Sequence, residues 1–211
     1  MRAGAWKSAS GATVFLFAIT VLLSAAPAPP RLQSAAPAPA AHAITLNVDP
    51  SQCKLHFIVD TTLHTVHGTF ALKSGSLHFD PQTGKADGSI IVNAVSGESG
   101  NTSRDQRMHK EILETWKFAD VTFRPTQIDG QVSLTAPSDF KVHGIITLHG
   151  ADHELIATVH SEFTGDHWKG TAKFDVPYIQ WGIKDPSNFL LKVKPVVNVE
   201  LELSGAATDT H

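Results

Sequence analysis

Over much of its length this chain alternates apolar and polar residues one by one. In CKLHFIVD, Cys53, Leu55, Phe57 and Val59 fall on one face and Lys54, His56 and Asp60 on the other. FKVHGIITL sets Phe140, Val142, Ile146 and Leu148 against Lys141, His143 and Thr147. WKGTAKFDV sets Trp168, Ala172, Phe174 and Val176 against Lys169, Thr171, Lys173 and Asp175. The longest run, LKVKPVVNVELEL, opposes Leu191, Val193, Val197, Val199, Leu201 and Leu203 to Lys192, Lys194, Asn198, Glu200 and Glu202. A period of two predicts strands with one dry face and one wet face. Weaker strand patterns fill the gaps: ITLNV, HTVHGTFAL, GSLHFD, GSIIVNAV, DVTFRPTQ, GQVSL and ELIATVHSEFTG. Turn-forming clusters at 80–84, 128–130, 136–139, 149–152 and 164–166 separate them. Gaps this short make hairpins, so the sheet is antiparallel. The expected architecture is all-β, a meander of about eight strands closed into a barrel, because closure removes the edges.

One passage, SGNTSRDQRMHKEILETWKFADVTFRP at 99–125, breaks the alternation. Ser103 and Gln106 have the spacing of a capping box, and Asp105 sits in the first turn, where the helix dipole favours an anion. Met108, Ile112 and Trp116 recur every four residues. The passage therefore predicts a short amphipathic helix of about three turns between two strands. Such a helix plugs an open barrel end, covers an edge or completes the core; its polar side carries Arg104, Arg107, His109 and Lys110. Salt bridges among Arg104, Asp105, Arg107 and Glu111 are the alternative use of those charges. YIQWGIKDPSNF at 178–189 predicts a turn at a barrel end, where Trp181 and Phe189 either guard the mouth or pack the corner.

The first 43 residues are a different material. Arg2 and Lys7 precede an apolar run at 13–26, the length of a signal-peptide core and short for a membrane span. An Ala- and Pro-rich stretch follows and predicts an extended linker. The organisation expected is signal peptide plus linker over 1–43, a β-domain over 44–205 and a C-terminal tail over 206–211. Export to a periplasmic or secreted location follows, by cleavage of the signal or with it kept as an N-terminal anchor. Cys53 is the single cysteine of the 211 residues, so no internal disulfide forms. It is expected to be a small buried hydrophobe. The net charge of −3 supplies no basic surface for nucleic acid.

Twelve histidines raise the question of a metal. His64 and His67, three apart on a strand, face opposite sides. His149 and His153 flank a turn and could meet; His153 and His160 are the remaining pair. His56, His78, His143 and His167 fall on polar faces. His153-Glu154 lacks the second histidine of a zinc-protease motif. No metal site is expected, and a secreted histidine-rich zinc-binding protein is the alternative reading. Catalysis has less support still. GESGN at 97–101 is out of frame for a nucleophile elbow, and Glu200 and Glu202 share an outward face. No cofactor is expected.

Four motifs in order resemble the YceI-like domain family, over about 44–205. VHGTF followed by SGSLHFDPQTG looks like its first hairpin. SRDQRMHKEIL followed by KFADVTF looks like its helix and next strand, with Ala119–Asp120 where many members carry Tyr-Pro. VHGIITLHGADHEL and GTAKFDVPYIQWGIKDPSNFLL look like its later hairpin and its late strand and turn, in a tryptophan-containing variant. The resemblance implies a lipocalin-like, extended antiparallel β-barrel that holds one long apolar molecule, typically a polyisoprenoid or related amphiphile, and is not an enzyme. It also allows a homodimer and transient contact with a membrane. Alternation then names the lumen candidates: Phe57, Phe70, Phe79, Phe123, Phe140, Val142, Leu148, Phe174, Leu191, Val193 and Val197. Candidates for the mouth or a head-group contact are Arg104, Arg107, Met108, His109, Ile112, Trp116, Trp181 and Phe189. Eleven Phe and four Trp against one Tyr suit a greasy lumen, and equally an ordinary core.

Overall fold

The computed structural model describes residues 43–210; the signal-peptide and linker expectations at 1–42 lie outside the described residues. Nine antiparallel segments follow in chain order: β1 (Ala43–Val48), β2 (Lys54–Asp60), β3 (Thr65–Phe79), β4 (Ala86–Glu98), β5 (Asp120–Asp129), β6 (Ser138–Leu148), β7 (Ala151–Thr164), β8 (His167–Val176) and β9 (Val197–Thr210). Each of β3 to β9 pairs with its chain neighbours, and β2 pairs with both β3 and β9. The ring is closed. β1 adds no ninth stave. It pairs with the far half of β3 (Ile44 opposite Phe79) and of β9 (Leu46 opposite Ala207), beyond the reach of β2. Together β1 and β2 make one stave of an eight-stave barrel, interrupted by a 3-10 turn at Pro50–Gln52. Asp49 caps that turn by accepting from the Ser51 amide at 3.0 Å.

Several expected elements differ. HTVHGTFAL and GSLHFD are a single strand, β3, with register shifts near Thr69 and Leu72 where it bends. GQVSL is not a strand but the loop between β5 and β6. The alternating run at 191–203 forms regular strand only from Val197. Upstream, Pro195 has no amide to give a ladder, and the chain is tied to the β2–β3 turn through Thr62 N–H to Lys192 O (3.0 Å) and Lys194 N–H to Asp60 O (2.9 Å). Residues 206–210, read as a tail, are the end of β9 on β1. They carry no apolar alternation; ladder pairing with β1, a pairing of Ala206 with His167 and a bond from Ala207 N–H to Asp166 O at 2.7 Å hold them there. The predicted turn at 149–152 is a two-residue hairpin in which His149 (φ 52°) and Gly150 (φ 78°) both take positive φ, as the twist of a tight hairpin demands.

Within 99–125 the chain is helical for about the three turns expected, but it is not α-helical throughout. Helix α1 spans Thr102–Arg107, and a π-helical turn spans Met108–Ile112. Asn101, not Ser103, is the cap: its side chain accepts from the Arg104 amide at 3.0 Å. Leu113 N–H bonds back to Met108 O at 2.8 Å, and Glu114 at φ 44° ends the helix. This segment and the loops at 61–64, 149–150 and 177–196 stand at one end of the barrel. The turns at 80–85, 130–137 and 165–166 stand at the other.

Candidate functional site: an apolar lumen with a polar mouth

The barrel encloses a cavity of about 580 Å³. That lies within the range of small-molecule pockets, and eight strands leave room for one ligand. All eleven residues named from alternation line it: Phe57, Phe70, Phe79, Phe123, Phe140, Val142, Leu148, Phe174, Leu191, Val193 and Val197. Leu191 and Val193 do so from outside regular strand, held by the bridge between Thr61 and Val193.

The lumen stays open because large rings lie against glycines. Phe57 is paired with Gly68, and a Cβ at Gly68 would lie 2.1 Å from its Cζ. Phe123 covers Gly144 in the same way, where a Cβ would come within 2.4 Å of Arg124 O and 2.6 Å of the ring. A ring that fills the missing side chain's space lies along the wall instead of crossing the lumen. Pro125, with no amide to donate, sits at the β5–β6 register shift beside this position.

Most polar groups in the lining stand at the helical end, Thr61, His64, Ser99, Asn101, Arg104 and Arg107, while His78 and Ser161 line it toward the other end. Arg104 is held firmly. Its Nε donates to Ser99 Oγ and its Nη2 to Ser99 O, each at 2.7 Å. Ser99 donates in turn, through its amide at 3.0 Å and its hydroxyl, to the Asp105 carboxylate. Burial pushes the Asp105 carboxyl up, but the Ser99 bonds and the charges of Arg104 and His109 outweigh it and leave it below the usual range. Arg107 leans on Glu111 at 3.6 Å, and Lys184 from the 177–196 loop reaches the same carboxylate at 3.1 Å. The bond and charge of Lys184 hold Glu111 below its ordinary pKa. On the other side Glu114 accepts from His149 at 2.8 Å, and Phe118 packs on that imidazole with centroids 4.5 Å apart. The helical segment is thus pinned to two neighbouring loops.

Met108 and Ile112 face the lumen with Arg104 and Arg107. The other mouth candidates do not line it. His109 turns away and bonds Gly97 O at 2.8 Å. Trp116 is 74% exposed, because the π turn and the left-handed Glu114 rotate it off the stripe of Met108 and Ile112. Trp181 stacks on His153 with centroids 4.4 Å apart. Phe189 is 96% exposed and packs no corner. Two lining rings were not among the lumen candidates, although alternation puts Trp168 on the face of Phe174; Tyr178 lies in the turn after that strand. Tyr178 is 5% exposed and Trp168 4%, and among the described residues neither the Tyr178 hydroxyl nor Trp168 Nε1 has a hydrogen-bond partner. Burial, with Asp185 nearby, raises the Tyr178 pKa. The lone tyrosine among fifteen other large rings was the available signal for it.

The histidines disperse. His149 bonds Glu114, His153 stacks on Trp181, and His160 bonds Asp139. Among the described residues no three of His, Cys, Asp and Glu gather as a metal site. Cys53 is half-buried; its thiol donates to Asp49 O at 3.1 Å, and burial raises its pKa.

Comparison with known proteins agrees with this architecture. A polyisoprenoid-binding domain of Saccharophagus degradans, implicated in plant cell wall breakdown, superposes with a TM-score of 0.59 at 14% identity, over 77% of this chain and 98% of its own. BcnA of Burkholderia cenocepacia does so with a TM-score of 0.63 at 14% identity, over 75% and 99%. Likeness at that identity establishes the fold. No curated protein matches the chain by sequence. The YceI-like domain model matches residues 46–205, from the middle of β1 to the middle of β9. An eight-stave barrel, one short helical insertion and that match together place the chain in the YceI-like domain family.

Proposed function

We propose that this chain is an exported carrier that sequesters a long-chain amphiphile, a polyisoprenoid or a lipid of similar shape, in the barrel lumen. The observation that carries the reading is the cavity itself: mostly apolar along the staves, with both of its lining arginines, Arg104 and Arg107, at one end. Burying hydrocarbon gains about 0.8 kcal/mol per methylene, so a long chain needs no charged anchor inside. The mouth polar groups suit a head group, and an insoluble molecule must leave and rejoin a membrane through that mouth. The related Saccharophagus domain, described as polyisoprenoid-binding, supports the same class of ligand. The role assigned is binding without turnover. Export rests on the apolar run at 13–26 and the Ala/Pro-rich stretch after it.

The test is organic extraction and mass spectrometry of the full chain purified after export, beside a matched control barrel. The expected result is one long-chain species at near-stoichiometric amount. A stable protein that yields nothing above the control defeats the reading. Intact mass of the same sample checks export: loss of the N-terminal segment is expected, and an uncut chain recovered from the cytoplasm opposes it.

A further inference from the structure

The apolar surface of this barrel is unevenly placed. Phe189 is 96% exposed, Leu190 80% and Leu63 73%. These three belong to two loops joined to each other at the mouth. Thr62 N–H donates to Lys192 O, Lys192 N–H donates to Thr62 Oγ1 at 3.3 Å, and Thr61 bridges Val193. The loops are well made rather than slack. Asn188 accepts from the amides of Leu190 (2.9 Å) and Leu191 (2.8 Å), so the turn presents Phe189 and Leu190 outward while Leu191 faces the lumen. His64, Pro186 and Val193 of the same loops line the cavity. Exposed apolar side chains thus continue the apolar lining out past the rim.

The charge beside them is positive. Within 177–196, Lys184, Lys192 and Lys194 stand with Asp185; Lys184 pairs with Glu111 at 3.1 Å and Lys194 with Asp60 at 2.8 Å, which leaves Lys192 as the cation beside the apolar apex. Lys192, next to the apolar apex, forms no salt bridge among the described residues, although it acts at longer range on Asp185. We propose that this end of the barrel docks on an anionic phospholipid bilayer, with Leu63, Phe189 and Leu190 entering the acyl boundary and Lys192 at the head groups. The inference rests on the carrier reading and names the surface from which the cargo is taken. Apolar apices with a cation beside them are what an interfacial anchor requires. A second copy of the chain fits less well. Three protruding side chains cover far less than the roughly 800 Å² per partner of a stable protein interface.

The full chain is the material for the test, in a Cys53→Ala background that leaves one introduced thiol. An environment-sensitive fluorophore is attached at Phe189→Cys, or at Leu134→Cys in the β5–β6 loop at the opposite end. Vesicles of phosphatidylethanolamine and phosphatidylglycerol are then added. The label at 189 is expected to shift to the blue and brighten, and the label at 134 to stay unchanged. Replacing Leu63 and Leu190 by Ser is expected to raise the lipid needed for half the response about tenfold or more. An unchanged label at 189, or equal shifts at both positions, overturns the proposal. A blue-shifted label at 189 without vesicles also overturns it. Growth of that shift with protein concentration would show a second copy on the patch, and independence of concentration would show the chain's own N-terminal run. Extraction of the same samples separates the two readings. Cargo without a response at 189 sinks docking and leaves the carrier; a response with an empty barrel keeps docking and removes the carrier.

Discussion

Compare the wall around Val142 with the cap around Arg104. In β6 and β7, Val142 faces Ala157 across the ladder, and both point into the lumen because every second residue must. No side-chain hydrogen bond is needed to set them. The cap has no such rule. Asn101, Ser99, Asp105 and Arg104 hold one another in a chain of local bonds, and Glu111 and Glu114 tie the segment to Lys184 and His149. The wall is specified by a period, the cap by individual partners. Substitutions in the wall should therefore act through volume, and those in the cap through single bonds.

The largest effect expected is on capacity. Ala157 is buried in mid-wall and lines the lumen. Phe at this position projects a ring into the space of the cargo. At about 0.8 kcal/mol per methylene displaced, a few carbons lost lower retention roughly a hundredfold. Extracted lipid per protein measures this, with the melting temperature as control. Undiminished cargo would mean that the chain lies elsewhere. Gly144→Ala tests the same wall from the side of stability. Its Cβ would meet Arg124 O, which is backbone, and the Phe123 ring. Overpacking of this kind costs about 2 kcal/mol, which lowers the melting temperature by roughly 4–8 °C in a domain of this size. An unshifted melting curve would show that the ring can swing inward without cost.

The same contrast explains what could be read from the residues alone. Eleven lumen positions followed from alternation, because a closed antiparallel sheet keeps its inward face whatever the turn geometry. Even Leu191 and Val193, outside regular strand, kept their side. The cap was less legible. Ser103 and Gln106 have capping-box spacing, yet Asn101 wins the cap two residues earlier. The four-residue recurrence of Met108, Ile112 and Trp116 assumed an α-helix to the end. A π turn adds one residue per turn, so Trp116 lost the face that Met108 and Ile112 kept. Glu114 carries no mark of the left-handed conformation that ends the helix; its bond to His149 is tertiary. Residues 206–210 were missed for the converse reason. Their pairing with β1 is made by the backbone, which side-chain pattern does not report.

Tyr178 sits where wall and cap meet, and its hydroxyl is buried without a partner among the described residues. Removing it should leave the empty barrel as stable or slightly more so, since an unpaired buried hydroxyl is a liability of about 1–3 kcal/mol. If the hydroxyl serves the cargo, Tyr178→Phe weakens retention by up to about tenfold, the worth of one net hydrogen bond. Paired measurement of melting temperature and extracted lipid decides it. A variant that loses stability as well as cargo would assign the hydroxyl to the fold.

The smallest effects concern pH, and they separate cap from wall by sign. Asp105, in the cap, has its pKa held below the unfolded value near 3.8. Its contribution is present above that value and fades as pH falls through the lower folded one. His160 of β7 lies on the outer wall. The Asp139 bond, with help from Glu162, raises its pKa above 6.5. Its contribution is full below 6.5 and is lost as pH rises through the folded value. Melting temperatures across pH should therefore fall less steeply at the acid end in Asp105→Asn than in the parent, and less steeply above neutrality in His160→Gln. The His160 effect should also shrink in high salt, because that pair is exposed and screened. The Asp105 effect should persist there, since its bonds to Ser99 are short-range. Equal salt sensitivity at the two sites would remove the distinction, and the Ser99–Asp105–Arg104 chain would then be surface charge and not the clasp of the mouth.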